Sequence, residues 1–271
     1  MKNEQLNLKE IKEVQLGILL CVSDFCDRHN LRYYLAYGTL IGAVRHKGYI
    51  PWDDDIDIIM PREDYNSFIS SFNTEMAGSN YLAIPPYNET YNTFLKVADV
   101  RTLKTNTEYA QKGKDGGYLI IDIFPVDGVP ESDYEYTKWF NKLHKIYKGY
   151  YLKKKIYCGT LKNRIKTFLG KLQYNSYKSE KRFKKEAEYL HSLFPYENCN
   201  YVGVMESCWN SPKNKVKKEW YDDYVLLDFE GYQFKAPKGY HEILSSIYGD
   251  YMVLPPVDQQ VPCHQGDIFW R

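Results

Sequence analysis

The hydrophobic positions in the first part of the chain recur every three or four residues. The residues with this spacing are Leu8, Ile11, Val14, Ile18, Val22 and Phe25. Such a stripe is typical of an amphipathic helix that packs one face on a core. Asn7 precedes the stripe and has a side chain suited to capping the N-terminus of a helix. The pattern therefore predicts a helix from about residue 8 to residue 25.

Short apolar runs separated by turn residues follow, and they predict strands. The predicted strands cover residues 33–36, 55–58, 81–84, 93–100, 118–128, 201–204, 224–229 and 231–234. Helical spacing returns over residues 40–46, 61–76 and 240–248, and over most of 131–193. This mixture indicates an α+β fold in which a mixed sheet is flanked by helices.

Two of the predicted strands carry aspartates where apolar residues are expected. Strand alternation puts Asp55 and Asp57 on one face, while Ile56 and Ile58 point into the core. Two carboxylates on one face repel each other unless a cation lies between them, and magnesium is the natural mediator. Asp122 interrupts a nearly continuous apolar strand, so it must be paired or bind a metal. Asp127, beyond Pro125, is expected in a turn with a structural role.

The segment before Asp55 combines a turn, a short helix and basic residues. Gly38 and Thr39 predict a turn in which Thr39 caps a helix over residues 40–46. The free amides at the start of such a helix suit a phosphate, which we expect Gly38 and Thr39 to bind. Arg45 is placed to clamp the phosphate, and His46 to contact it or to orient a ligand. A simple tight turn at Gly38 and a structural histidine at position 46 are the alternatives.

The order of these features resembles a known family. The matching stretches are YGTLIGAVRHKGYIPWDDDIDIIM at 37–60, Asp-Ile-Phe-Pro at 122–125 and YGDYMVLPP at 248–256. They are similar to the LicD family of phosphocholine and phospho-polyol transferases, to which the fukutin-related proteins are also similar. The resemblance implies a nucleotidyltransferase-like fold. It also implies that Asp55, Asp57 and Asp122 are catalytic and bind Mg²⁺ or Mn²⁺.

The resemblance further implies the donor and the reaction. A CDP-alcohol, with CDP-choline first, would pass its phospho-alcohol to a sugar hydroxyl of a cell-surface glycan or teichoic acid precursor, and CMP would leave. Lys96 matches a lysine of the family and is expected to contact phosphate, with a solvated strand lysine as the alternative. Tyr49 and Trp52 would form a cation–π wall for choline, with packing of the loop as the alternative. Asp99 and Arg101 are expected to form a local charge pair.

Charge separates the middle of the chain from the rest. The formal net charge is +1, yet residues 138–185 contain 16 lysines and arginines and a single acid, Glu180. Aromatic residues are interleaved with these bases, a composition that suits a helix lying on anionic lipid. A solvated basic face and a nucleic-acid surface are the competing interpretations, and we expect no nucleic-acid partner.

The cysteines and the hydropathy bear on location. The six cysteines lack the spacing of a metal site and are expected to be reduced thiols. No apolar run approaches the roughly 20 residues that span a bilayer, and residues 1–13 are too charged for a signal peptide. We therefore expect a cytoplasmic protein, peripheral on the inner face of the cell membrane.

These observations predict three parts of the chain and one function. Residues 1–130 would form the catalytic core, 131–195 a basic helical insertion that contacts membrane or acceptor, and 196–271 the completion of the catalytic domain. The predicted activity is that of a CDP-alcohol-dependent phosphotransferase acting on a glycan, and two alternatives stay open. Those alternatives are a nucleotidyltransferase acting on a small molecule or RNA, and a non-catalytic membrane-binding module.

Overall fold

The structure, a computed structural model, describes most of the chain in two compact units. The described residues are 4–87, 93–105, 117–154, 161–176, 178–206, 212–261 and 267–271. The first unit comprises Met1–Pro125 and Val216–Arg271, and the second comprises Val126–Lys215. Helices and strands are mixed in the chain, which confirms the α+β class.

The described elements are named in chain order. The helices are α1 (Leu8–Arg28), α2 (Tyr37–His46), α3 (Arg62–Glu75), α4 (Asp133–Lys154), α5 (Leu161–Gln173), α6 (Glu180–Ser192) and α7 (Tyr240–Tyr248). The first six strands are β1 (Tyr34–Leu35), β2 (Asp57–Pro61), β3 (Tyr81–Ile84), β4 (Leu95–Asp99), β5 (Thr102–Thr105) and β6 (Leu119–Gly128). The later strands are β7 (Tyr201–Gly203), β8 (Val216–Lys217), β9 (Tyr224–Phe229), β10 (Tyr232–Pro237) and β11 (Asp267–Trp270).

The first helix forms where the apolar spacing predicts it. The Asn7 side chain accepts a hydrogen bond from the Glu10 backbone N–H, and Glu10 accepts one from the Asn7 N–H, so the two residues make a capping box. The helix continues past Phe25 to Arg28, and Ile18, Val22 and Phe25 are fully buried. The amphipathic face of α1 thus packs into the core of the first unit.

The central sheet places the strands that carry the aspartates side by side. Its order within the first unit is β1-β2-β6-β4-β3. The pairs β1–β2, β3–β4 and β4–β6 are antiparallel. Ile58, Val97 and Ile121, on three of these strands, are fully buried. The alternate positions on β4 and β6 face away from this core, and they include Lys96 and Asp122.

The C-terminal part contributes a predicted hairpin, and it also contributes a strand that the apolar pattern does not predict. In the hairpin β9–β10, Glu230 and Gly231 both have positive φ, as a two-residue turn requires, which confirms the predicted turn. By contrast β11 pairs with β5 in antiparallel register, from Asp267↔Thr105 to Trp270↔Thr102. This pairing joins residues far apart in the chain, so neither strand shows a local turn signal.

The second unit is built on helices. The apolar and aromatic residues of α4 that are buried include Trp139, Phe140, Leu143, Tyr147 and Tyr150. A side chain at Gly149 would lie 2.5 Å from the Tyr174 carbonyl oxygen, so glycine permits the close approach of α4 to the residues after α5. Among the described helices of the whole chain, none has the length and apolarity that a membrane span requires.

Candidate active site

Helix α2 begins earlier than the sequence predicts, and this changes the role of Thr39. The N-cap is Ala36, whose side chain makes no cap hydrogen bond, so the prediction that Thr39 caps the helix is wrong. The buried Thr39 hydroxyl instead accepts a hydrogen bond from the Asp57 backbone N–H at 2.9 Å. Thr39 therefore positions the first residue of β2 from inside the first turn of α2.

Gly38 lies in close contact with an aspartate. A Cβ atom at this position would lie 2.5 Å from Asp53 Oδ2, so the carboxyl group occupies the space of a side chain. The preceding residue, Tyr37, has φ of 48°, a left-handed conformation that is uncommon for a bulky residue. Backbone of this kind persists where the surroundings enforce it, often at functional sites. Phosphate binding by Gly38 and Thr39 stays a prediction.

Asp55, Asp57 and Asp122 lie close enough for their charges to interact. The Asp122 backbone N–H donates to the Ile56 carbonyl oxygen at 2.9 Å, which places β6 beside the residue between the other two aspartates. Burial raises the pKa of Asp57 well above its ordinary value, and the charges of Asp55 and Asp122 raise it further. A bound cation would relieve this penalty.

Lys96 lies in this site and is not a solvated strand lysine. In the β4–β6 register it stands directly opposite Asp122, and its Nζ lies 2.7 Å from Asp122 Oδ1. Only 12% of the Lys96 side chain is exposed. Lys96 therefore neutralises Asp122, and its contact with phosphate stays a prediction. The neighbouring pair of Asp99 and Arg101 is confirmed, with Arg101 Nη2 2.6 Å from Asp99 Oδ2.

Two further acids extend the site beyond the predicted set. Asp53, Asp54 and Asp55 each offer a carboxylate oxygen, and these oxygens lie within 4.8 Å of one another. The charge of Asp53 also contributes to the raised pKa of Asp57, after burial, Asp55 and Asp122. The run of three aspartates is evident in the sequence, but strand alternation predicts only Asp55 and Asp57 for the site.

Arg45 and His46 lie at the opposite end of α2 from Thr39. Arg45 Nη1 donates to the Tyr251 carbonyl oxygen at 2.7 Å, and Arg45 Nε donates to His46 Nε2 at 3.0 Å. Burial and the charge of Arg45 lower the pKa of His46. In this structure the guanidinium group binds the C-terminal segment, so its role as a phosphate clamp, like that of His46, stays a prediction.

The structure separates the two residues proposed for choline. Tyr49 is 7% exposed, its hydroxyl donates to the Lys12 carbonyl oxygen at 3.2 Å, and Lys12 Nζ lies 4.6 Å from its ring centroid. Tyr49 therefore packs inside the first unit in this structure, and its part in binding choline stays a prediction. Trp52 is half-buried, with its ring 6.5 Å from that of His46, and remains a candidate.

An aromatic cluster that the apolar pattern of the sequence does not predict lies beside Asp122. Phe124 follows Asp122 by two residues and Phe94 precedes Lys96 by two, so strand alternation puts each ring on the same face as its polar neighbour. The Phe94 and Phe124 centroids are 4.3 Å apart, and Tyr37 meets Phe124 edge-on at 5.6 Å. All three side chains are half-buried. The period of two could have revealed them.

A tyrosine of α7 also lies near the aspartates. Tyr248 is 46% exposed, and burial of the rest of the residue, followed by the charges of Asp57, Asp53 and Asp55, raises its pKa. Tyr251, three residues later, is 6% exposed, and its hydroxyl lies 2.8 Å from His241 Nδ1. Tyr248 therefore lies within range of the charges of these aspartates, whereas Tyr251 packs against His241.

The second unit contains a separate buried cluster around a histidine. Asp127 lies inside β6 rather than in a turn, so that expectation is corrected, and its Oδ2 lies 2.9 Å from His191 Nδ1. The Tyr147 hydroxyl donates to Glu206 Oε2 at 2.6 Å and lies 2.9 Å from His191 Nε2. Exposures of 2%, 7% and 4% for Asp127, His191 and Glu206 make this a buried polar network.

Comparison with known proteins identifies the chain in two steps. Residues 30–157 match a family described as "LicD/FKTN/FKRP, nucleotidyltransferase domain". The matched residues include Asp55, Asp57 and Asp122, so the aspartates lie in a nucleotidyltransferase domain. The lipopolysaccharide cholinephosphotransferase LicD of Haemophilus influenzae is 34% identical over 276 residues, which cover 98% of this chain and 99% of that protein. The chain belongs to the LicD family.

Two shorter matches concern proteins without an assigned activity. The uncharacterized proteins RP689 of Rickettsia prowazekii and RT0683 of Rickettsia typhi are each 54% identical over 37 residues, or 14% of this chain. These residues cover 14% and 12% of the two proteins. Matches of this length show neither a family nor an activity.

The electrostatics of Asp57 predict a stability change that depends on pH. The pKa of Asp57 is higher in the folded state than in the unfolded chain, so the stabilisation associated with its protonated form is lost as pH rises through the raised pKa. Asp57→Asn removes this ionisation. In the presence of a chelator, we expect the variant to have a higher Tm than the wild type, by a margin that grows with pH.

Magnesium provides the second half of this test. Added Mg²⁺ should raise the Tm of the wild type and leave Asp57→Asn almost unchanged, because a ligand stabilises only the state that binds it. The matched control is Asp228→Asn, at an exposed position of β9, which should follow the wild type throughout. An equal response of wild type and Asp57→Asn to Mg²⁺ would contradict metal binding at Asp57.

The buried network predicts a large cost when its histidine is removed. His191→Ala leaves Asp127 and Glu206 buried without their shared partner, which should lower the free energy of unfolding by about 3–5 kcal/mol. His144→Ala, at a half-buried position of α4, is the matched control, with an expected loss of about 1 kcal/mol. Urea unfolding measures both, and equal losses would show that the network contributes no special stability.

Proposed function

We propose that this protein transfers phosphocholine from CDP-choline to a sugar hydroxyl of a cell-surface glycan precursor and releases CMP. The observation that carries the proposal is the meeting of Asp55, Asp57 and Asp122 in a chain that matches a cholinephosphotransferase over nearly its whole length. A half-buried cluster of like charges is costly unless its negative charge is used. Other phospho-alcohol donors with the same CDP group would fit the same aspartates.

The acidic donor set suits Mg²⁺ or Mn²⁺. Hard divalent cations prefer carboxylate oxygens, and the raised pKa of Asp57 marks an excess of negative charge at the point where its carboxyl group meets two others. Asp55, Asp57 and Asp122 would bind the metal, with Asp53 near enough to assist. When bound, such a metal neutralises phosphate charge and acidifies an acceptor hydroxyl.

The protein's own residues position the reaction. The hydrogen bond from the Asp57 N–H to Thr39 and the paired register of β4 and β6 determine where the carboxylates lie. In the proposed reaction the bond between the choline-bearing phosphorus and the oxygen of the CMP leaving group breaks, while a bond from that phosphorus to the sugar oxygen forms. Lys96 can turn from Asp122 to a donor phosphate without leaving the site, which reconciles its observed pairing with the predicted contact.

The aromatic cluster suits the choline end of the donor. Tyr37, Phe94 and Phe124 present half-buried rings beside Asp122, and a quaternary ammonium is attracted to such faces. Lys96 Nζ already lies 5.0 Å from the Phe94 centroid, so the cluster accommodates a cation in this structure. These rings form the proposed choline site, with Tyr49 and Trp52 as the competing candidates.

The acceptor is proposed from the relative and the charge distribution. The Haemophilus influenzae protein is named for lipopolysaccharide, and a lipid-linked glycan precursor is the acceptor that we propose here, with a teichoic acid precursor as the alternative. A lipid-linked acceptor places the enzyme on the inner face of the cell membrane. The basic stretch 138–185 supports contact with an anionic surface there.

Release of CMP is the direct test of this activity. Purified protein with Mg²⁺, CDP-choline and a glycan acceptor should release CMP, and Asp57→Ala should lower kcat by more than about a hundredfold. Failure with CDP-choline, CDP-ribitol and CDP-glycerol alike would favour a nucleotidyltransferase. Unchanged turnover in Asp57→Ala would show that the release does not come from this site.

The choline site is tested by a pair of aromatic variants. Phe124→Leu should raise the KM for CDP-choline by about 2–30-fold with little effect on kcat, the range expected for loss of a cation–π contact. Trp52→Leu is the comparison, and steady-state kinetics with CDP-choline measures both. If Trp52→Leu raises the KM and Phe124→Leu does not, choline binds at the loop and the assignment to the cluster is wrong.

A further inference from the structure

Helix α5 presents an apolar face that the described part of the second unit leaves uncovered. None of its 13 residues is buried. Five large apolar side chains are between 47% and 72% exposed, namely Leu161, Ile165, Phe168, Leu169 and Leu172. Their spacing of four, three, one and three residues puts them on one side of the helix. A contiguous exposed stripe of this kind marks an interaction surface.

The polar side of α5 is basic. The helix contains no aspartate or glutamate. Its four bases alternate in sequence with the apolar residues, and they are Lys162, Arg164, Lys166 and Lys171. Long cationic side chains beside an apolar stripe are typical of a helix that lies in the interface of a membrane. A second copy of the chain is a poor occupant, because pairing two such faces would bring like charges together.

A lysine-lined cavity lies at the C-terminal end of the same helix. It has a volume of about 380 Å³, and its lining includes Lys142, Lys145, Lys178, Tyr174 and one acidic residue, Glu186. Tyr174 follows α5 directly, and the close approach of Gly149 positions it against α4. Lys178 pairs with Glu186 at 2.7 Å, whereas no ion pair of Lys142 or Lys145 occurs among the described residues. Two ammonium groups are thus available to an anion.

We propose that α5 lies in the interface of an anionic phospholipid bilayer, with its apolar stripe in the acyl region, and that the lysine-lined cavity binds the phosphate of one lipid head group. The stripe supplies apolar contact, and the lysines supply attraction to anionic lipid. The inference deepens the proposed function, on which it rests for the lipid-linked acceptor. It names the element that contacts the membrane and the phosphate that is recognised.

Sedimentation with lipid vesicles tests the apolar stripe. The full-length protein should bind vesicles that contain phosphatidylglycerol and not vesicles of phosphatidylcholine alone. Phe168→Ser/Leu172→Ser should weaken this binding by about tenfold or more, because two apolar contacts are lost. The control is Leu226→Ser/Tyr232→Ser in the first unit, where the side chains are 52% and 49% exposed against 47% and 50% in α5. The control should bind like the wild type.

The cavity is tested at constant charge. Two double variants remove the same charge from the same unit. The first, Lys142→Gln/Lys145→Gln, changes residues that line the cavity, whereas the second, Lys181→Gln/Lys185→Gln, does not. The first pair should weaken vesicle binding several-fold more than the second, and the difference should fall with added salt. Equal weakening would show that the basic surface acts without a specific phosphate site, which overturns that part of the proposal.

Two further results would overturn the membrane proposal. One is equal binding of wild type and Phe168→Ser/Leu172→Ser to the anionic vesicles. The other is a wild-type dimer by light scattering that becomes monomeric in that variant, since the stripe would then cover a second copy. Release of CMP from CDP-choline with a water-soluble oligosaccharide acceptor separates the two hypotheses. Phe168→Ser/Leu172→Ser should keep this activity. If the wild type releases no CMP in this assay, the result counts against the proposed function and not against the membrane proposal.

Discussion

Mutual repulsion among half-buried carboxylates is the constraint on which the catalytic site depends. Asp57 lies where burial and the charges of Asp55 and Asp122 all oppose its ionisation. Such a cluster lowers the stability of the fold, and clusters of this kind are commonly found at functional sites. Lys96 offsets one of the charges through its contact with Asp122. The rest of the negative charge is what makes the site suitable for a divalent cation and a phosphate-bearing donor.

The scaffold positions these charges through backbone contacts more than through side-chain packing. The Asp57 N–H binds Thr39, and the Asp122 N–H binds the carbonyl oxygen of Ile56. Both bonds use main-chain donors, so the separation of the strands and the start of α2 determine where the carboxylates lie. Gly38 belongs to the same arrangement, because its lack of a side chain admits the Asp53 carboxyl group. Positioning of this kind lowers the cost of reaching a reactive geometry.

The parts of the site that follow a local period were predictable from the sequence. Strand alternation identified Asp57 and the buried isoleucines beside it, and the apolar context identified Asp122. Contacts between distant segments were not predictable in this way. Lys12 covers Tyr49, and the tail carbonyls bind Arg45, yet neither partner lies near these residues in the chain. Helical spacing likewise predicts the apolar stripes of α4 and α5 alike, but tertiary packing buries the first and exposes the second.

The central claim is that Asp55, Asp57 and Asp122 bind one catalytic cation beside the donor phosphate. A crystal structure with Mn²⁺ and CDP-choline, read from the anomalous scattering of manganese, tests it most directly. The account predicts a manganese peak about 2.0–2.3 Å from carboxylate oxygens of Asp57 and Asp122, with a donor phosphate oxygen among its ligands. A peak bound only by Asp53, Asp54 and Asp55, with Asp122 still paired to Lys96, would contradict it.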